Sequence, residues 1–237
     1  MLKMINYERE KRGIKKLIFN SGLRSAAKTH NLKMINENRL SHNFKGYPKL
    51  GKRLAESGIY FIATGENIAF GSFYLPDFFH NGFMKSREHR GNILDKRFTH
   101  CGISVIKNKD GFYVTQEFAN IFSPEKTKKL KKKLIEYIKM ISEYEGNTDI
   151  KYSYDTESYT DTFSAALLKG RKTKSIPKEL KEFSLIEILS PETTGIEQFI
   201  SGILRKGQVS LFSISIRLGR NKKNPGGTYA FAMLWKK

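Results

Sequence analysis

The chain has 237 residues, 39% hydrophobic and 12% aromatic, which is enough for one large or two small domains with a real core and excludes wholesale disorder. It lacks any stretch near the roughly 18–20 apolar residues of a membrane span and any signal-type apolar core at its start, and its one cysteine, Cys101, excludes an internal disulfide. The net charge of +20 invites an anionic partner, yet the 21 basic and 10 acidic residues up to position 123, against 22 and 13 beyond it, spread that charge evenly, as a general surface property does.

Residues 4–19 read as a helix with Ile5, Ile14, Leu17 and Ile18 on one side and Glu8, Arg9, Glu10, Lys11 and Arg12 toward solvent. Asn20-Ser21-Gly22 breaks it, and Ser21 or Ser25 is placed to cap the next helix, which runs to about Asn36. Its buried stripe is Leu23, Ala26, Ala27, His30, Leu32 and Met34, where His30 reads as an imidazole packed on the helix and hydrogen-bonded to a neighbour.

A glycine-rich loop (Gly46, Pro48, Gly51) leads to a short helix over 52–57, with Leu54 and Ala55 inward and Gly58 as its stop. An apolar run at 59–63 enters Gly65-Glu66-Asn67-Ile68-Ala69-Phe70-Gly71. Pro76 can start a helix over 77–86 that carries Phe78, Phe79, Phe83 and Met84. Strands at 103–106 and 112–118 flank an Asp110-Gly111 hairpin turn, and Cys101, just ahead of them, reads as a small buried hydrophobe.

Ser123-Pro124 closes this unit, giving a first domain over 1–123. A linking helix follows over 124–146, its apolar face over 126–144 formed by Leu130, Leu134, Tyr137, Ile138, Ile141 and Tyr144. Its lysines crowd the N-terminal end against the macrodipole, so tertiary packing must hold it. Residues 147–237 read as a small α+β domain: a Thr/Ser/Tyr/Asp-rich stretch at 148–164, a short helix at 177–183, a strand at 185–189, a helix at 195–204, and strands at 209–218 and 228–234 around the turn-rich loop 219–227. Phe199, Ser201, Ile203 and Leu204 before a hairpin echo Phe83, Ser86, Ile93 and Leu94 before the first one. Either a degenerate repeat or the generic likeness of any helix followed by a hairpin gives that degree of similarity, the generic reading being preferred, and the second half holds no histidine.

All five histidines lie before residue 101, so a chemical site belongs to the first half. Glu66, between two glycines, needs partners, because burying a bare carboxylate is costly. His42 and His89 are the candidates.

Three segments align in order: Ser41-His42-Asn43, the Gly65–Gly71 stretch, and Ser86-Arg87-Glu88-His89-Arg90-Gly91-Asn92-Ile93-Leu94. Phe98, Gly102 and Thr115-Gln116 follow. Over residues 1–122 this pattern resembles the CAP superfamily, the SCP-like or cysteine-rich secretory proteins, in its short bacterial form. The lysine- and isoleucine-rich texture is similar to that of a spirochaete surface lipoprotein.

The resemblance implies an α+β fold: a CAP-type α-β-α sandwich with a small antiparallel sheet and a central cavity, to which the C-terminal α+β domain is added. It implies that His42, Glu66 and His89 line the cavity with Asn67. Ser86 stands where many members have the second acid and Phe83 where they have tryptophan. Glu88 replaces the usual glycine before His89, and Glu88 or Asp77 would have to swing in to complete a tetrad. The types allow His42 and His89 to hold Zn²⁺ or another divalent ion weakly. They equally allow a buried hydrogen-bonded network in which Glu66 orients an imidazole.

The resemblance further implies an exported or surface-displayed, non-enzymatic protein. It would bind a lipid or sterol, a divalent ion, or a host or partner protein, and would meet a membrane only through a removed leader or lipid anchor. The alternative is a metal-assisted peptidase or other hydrolase outside the cell, with Ser86 as the one nominee for a nucleophile. No Ser-His-Asp order, His-Glu-x-x-His or Cys-His pair is visible. Even charge and the lack of a recognisable module speak against specific nucleic-acid binding.

Overall fold

The chain opens with a shorter helix than its apolar spacing predicts. In the computed structural model, which describes residues 1–121, 124–190, 194–205, 209–220 and 224–236, α1 spans Leu2–Glu10 and not 4–19. Gly13, at φ +67°, takes the chain out of it. Ile18–Phe19 then forms a two-residue strand, β1. Arg9, expected in solvent, is fully buried.

The next helix, α2 (Ser21–Asn36), is capped by Asn20 and not by a serine. Asn20 Oδ1 accepts from Leu23 N at 2.9 Å, and the Asn20 N–H donates to Cys101 O at 3.0 Å. One residue thus satisfies the helix start and fixes it on the sheet. The buried face holds Asn31, where Leu32 was expected; Leu32 is exposed. A short helix α3 (Leu50–Glu56) ends at Gly58, whose φ is +81°. Then come β2 (Phe61–Gly71), α4 (Pro76–Lys85) with Pro76 in its first turn, α5 (Arg87–Leu94), β3 (His100–Lys107) and β4 (Phe112–Ile121). The Asn108 side chain shapes the hairpin turn by accepting from Asp110 N and Gly111 N, both at 3.0 Å.

The strand order is β1-β3-β4-β2. The sheet is mixed, not purely antiparallel as expected, because β1 joins β3 in parallel. Side chains alternate between its faces. Leu23, Ala26, Leu54 and Ala119 pack under α2 and α3, and Ile5, Phe79, Phe83, Ile93, Val114 and Phe118 pack under α1, α4 and α5. These are the two outer layers of the α-β-α sandwich. Cys101 is buried in the second of these cores, and burial pushes its thiol pKa up, so it is no nucleophile.

The chain divides into two units, Met1–Phe122 and Ser123–Lys237. The break read at Ser123, the Lys126 side chain and the middle of the 219–227 loop lie outside the described residues. The second unit consists of α6 (Pro124–Tyr144), β5 (Lys151–Tyr152), α7 (Glu157–Leu168), a 3₁₀ turn (Lys178–Leu180), β6 (Ser184–Ser190), α8 (Thr194–Leu204), β7 (Leu211–Gly219) and β8 (Thr228–Lys236). The helix read as a link, α6, packs on β7 and α8 inside this unit, burying Leu134, Ile138 and Ser142. Tyr144, expected on that face, is 85% exposed.

The second unit repeats the first. Its strand order, β5-β7-β8-β6, has the same parallel first pair. Ser153 plays the part of Asn20: its N–H donates to Phe212 O at 2.7 Å, and its Oγ accepts from Thr156 N at 3.4 Å. Counting on from Asn20 and from Ser153, the buried Phe163, Ser164 and Leu167 of α7 fall at the places of His30, Asn31 and Met34. Ser164 reaches Ser215 as Asn31 reaches Ser104. Of the two readings of that similarity, the degenerate repeat is the one that fits the shared strand order and parallel first pair. In matching register, the pair Glu66↔Glu117 becomes Leu185↔Leu234, and Asn67↔Gln116 becomes Ile186↔Met233. Among the described residues the second unit also has no counterpart of α5, and it has a shorter connection where the first carries His42.

Candidate functional site

Glu66 sits in the middle of β2, 7% exposed, with both oxygens taken. Oε1 accepts from His42 Nδ1 at 2.7 Å. Oε2 pairs with Arg53 Nη2, and His30 Nε2 stands 3.6 Å away. Arg53 also reaches Glu117 Oε1 at 3.4 Å and Pro48 O at 3.3 Å. Tyr47 stacks on His30 with ring centroids 5.8 Å apart and lies under the Arg53 guanidinium at 5.5 Å. His30 is thus a packed core imidazole, as expected; among the described residues its ring nitrogens make no close hydrogen bond, and the Ser41 backbone and Glu66, at 3.6 Å, are its polar neighbours.

The charges settle in one way. Burial raises the Glu66 carboxyl, but the hydrogen bond from His42 and the charge of Arg53 outweigh it and hold its pKa below the usual value. Burial, and then the charge of Glu66, push Glu117 well above the usual value. Glu117 therefore keeps its proton, directed at Glu66, and its Oε2 meets no donor. Burial lowers His30 to about 4 against the pull of Glu66, so it is neutral at pH 7. The Glu66 carboxylate faces the Arg53 guanidinium, with the acid form of Glu117 and the neutral His30 beside them.

Consecutive residues of a strand point to opposite faces, so Asn67 leaves this cluster. It is fully buried and ties α5 to β2: its Nδ2 donates to His89 O at 3.1 Å and Gln116 Oε1 at 3.0 Å, and its Oδ1 accepts from Asn92 Nδ2 at 2.9 Å. Asn67 holds the wall and does not line the cavity as expected. Ser86 is the N-cap of α5, its Oγ accepting from His89 N at 3.4 Å, which is a backbone role and not a pairing with the imidazole. Glu88 is exposed in the first turn of α5 and does not swing in to replace an acid; Asp77 is exposed in the first turn of α4.

His89 does not join Glu66. Its ring meets Phe83 edge-on at 5.1 Å on the α4 side, and burial followed by the neighbouring His42 lowers its pKa. There it lines a cleft of about 650 Å³ between β2 and α4. Ala69, Phe70, Phe78, Phe79 and Phe83 form the apolar walls, and Asn81, Lys85, Ser86 and His89 provide polar groups.

The donor set does not suit a resident metal ion. Glu66 has both oxygens engaged, its bond to His42 Nδ1 leaves only Nε2 of that ring to offer, and His89 lies on the other face of β2, so a full ligand set is not assembled among the described residues. Among the described residues no group of three or more His, Cys, Asp or Glu could hold an ion. The sequence reading missed Arg53, Glu117, His30 as part of the cluster, and Asn92; each lies 13 to 51 positions from Glu66. Only the low number of acids on predicted strands pointed to Glu117.

The family model described as the cysteine-rich secretory protein family, CAP, matches residues 2–118. The uncharacterized protein YkwD of Bacillus subtilis is 31% identical over 118 residues, which is 50% of this chain and 45% of that protein. A solved extracellular protein containing an SCP domain from Bacillus anthracis is 30% identical, with a TM-score of 0.46, over 50% of this chain and 38% of that one. An outer surface protein of Borrelia burgdorferi is 18% identical, with a TM-score of 0.48, over 51% of this chain and 90% of that one. The chain spans less than half the length of the first two.

Proposed function

Residues 2–118 are a CAP domain, and from that premise we propose that the protein acts outside the cell as a non-enzymatic binding protein whose β2–α4 cleft takes the acyl part of an amphiphile. The cleft carries this reading. Four phenylalanines and Ala69 offer an apolar wall, while Lys85, Ser86 and His89 sit where a polar head group would rest. An apolar chain gains roughly 0.8 kcal/mol for each CH₂ it buries there. The matching family model is described as one of secretory proteins, which supports the compartment.

The hydrolase alternative finds no support in the geometry. Glu66 has no oxygen left to activate water, and Ser86 Oγ is engaged by a backbone N–H.

Gly82 lines the cleft on α4, and nothing lies within 4 Å of a Cβ added there. Gly82→Leu therefore fills the cleft without disturbing the core. Displacement of a dansylated fatty acid tests the proposal. The wild type is expected to bind it, and Gly82→Leu to lose at least tenfold in affinity at an unchanged melting temperature. Equal affinity of the two, or no binding by the wild type, contradicts the reading.

A further inference from the structure

The segment from the end of β2 into α4 exposes large apolar side chains. Phe70 is 41% exposed, Phe73 48%, Leu75 57% and Phe78 53%. They lie within nine residues, and the Phe73 and Phe78 rings are 4.9 Å apart. A soluble surface scatters such side chains singly; a cluster marks a contact. Phe79 of the same segment is buried, so the core already has its anchor here and does not need the exposed four.

Basic side chains stand beside the cluster. The β3–β4 turn packs on it: a Cβ on Gly111 would lie 2.9 Å from Phe70 Cζ and 2.4 Å from Gly71 O. That turn carries the exposed Lys107 and Lys109, and Lys107 Nζ is 5.7 Å from the Phe112 ring, which in turn faces Tyr74 at 5.7 Å. Lys85 is exposed at the end of α4. Asp77 and Asp110 are exposed in the same region, so the local balance is mixed. The excess comes from the unit as a whole, with 21 basic against 10 acidic residues up to position 123.

We propose that Phe70, Phe73, Leu75 and Phe78 dock this unit on an anionic lipid bilayer. The positive field draws the protein to the surface, and the four side chains enter the boundary between head groups and acyl chains while the lysines stay at head-group level. A bilayer fits better than a protein groove because the cluster is a projecting rim of phenylalanine and leucine edged by lysines. Phe70 and Phe78 belong to both the rim and the cleft wall, so docking brings the cleft mouth to the lipid. Docking needs only the rim and stands whether or not the cleft holds an acyl chain.

Vesicle flotation tests it, with phosphatidylcholine vesicles that contain or lack phosphatidylglycerol. The wild type is expected to float with the anionic vesicles at low salt and much less with the neutral ones. Phe73→Ala with Leu75→Ala should lose at least fivefold, and Phe73→Asp with Leu75→Asp more, both at unchanged melting temperature because the side chains are outside the core. Gly82→Leu should float as the wild type does. A wild type that stays unbound overturns the proposal. So does an alanine pair that floats as well as the wild type, since charge alone would then explain binding. Flotation without fatty-acid uptake would refute the cleft reading and leave the docking surface standing.

Discussion

Glu66 and Glu117 face each other across the β2–β4 pair, and one holds a charge while the other holds a proton. Two buried carboxylates cannot both ionise beside a single arginine. Arg53 and His42 select Glu66 as the anion, and Glu117, fully buried, becomes the acid. Both oxygens of Glu66 are thereby engaged within the cluster. The cluster fastens the loop that carries His42 to the sheet.

The two glutamates should respond unequally to amide substitution. Glu66→Gln leaves the Arg53 guanidinium, 5% exposed, without its carboxylate and should cost about 3–5 kcal/mol of unfolding free energy. Glu117→Gln keeps a neutral donor in place and should change stability by about 1 kcal/mol or less. The pH dependence follows from the shifts. Glu117 is raised above 4.5, so its contribution is full below that value and fades as pH rises through its folded value. Glu66 is lowered, so its contribution is present above 4.5 and is lost as pH falls through its folded value. Denaturant titration of each variant across pH 3–8 checks both, and Glu117→Gln should remove the decline on the rising side.

His30→Phe installs the residue that the second unit uses at the same place, Phe163. His30 has a folded pKa of about 4 against 6.5, so the stability it permits is present above 6.5 and lost as pH falls from there to about 4. Up to about 3 kcal/mol is at stake over that range. Melting temperatures at pH 7 and pH 5 should differ less for the variant than for the wild type. An equal difference would mean that the imidazole does not resist protonation.

Arg9 is a staple. Its Nε donates to Lys15 O at 2.8 Å, its Nη1 to Ile93 O and Asp95 O at 2.9 Å, and its Nη2 to Phe98 O at 3.1 Å. These carbonyls close the end of α5 and the loop into β3. Arg9→Met keeps much of the stem but strands four acceptors, and should cost about 3 kcal/mol or more. Urea unfolding measures it; a loss within about 0.5 kcal/mol would mean that water replaces the guanidinium.

Calorimetry with Zn²⁺ should give the same weak binding for the wild type and for His42→Ala combined with His89→Ala. Glu66 holds one imidazole, and the other lies on the far side of β2. Tighter binding by the wild type, by tenfold or more, would reinstate a metal site.

What the sequence could reveal followed from how local the cause was. The α2 stripe, the proline that opens α4, the Asp110-Gly111 turn and the strands of both hairpins rest on neighbours within a few positions. Arg9 read as solvent-type, and Arg53 drew no role, because their acceptors come from distant segments. Helix α7 was hidden because its buried face uses Thr160 and Ser164 against a sheet face bearing Ser213 and Ser215. The duplication was hidden for the opposite reason: register and capping persist while the polar quartet of β2 and β4 has turned into Leu185, Ile186, Met233 and Leu234. At the site, the His42–Glu66 pair could be anticipated from residue type, whereas the parting of Glu66 and His89 to opposite faces follows from the pleat of β2 and the placement of α5.

The most direct measurement is an anomalous-scattering map from crystals soaked with a bromine-tagged fatty acid. A bromine peak between Phe70, Phe78 and Phe83, with the carboxylate toward Lys85 and His89, is the expected result. A peak elsewhere on the molecule, or no peak at saturating ligand, would contradict the assignment of the β2–α4 cleft as the binding site.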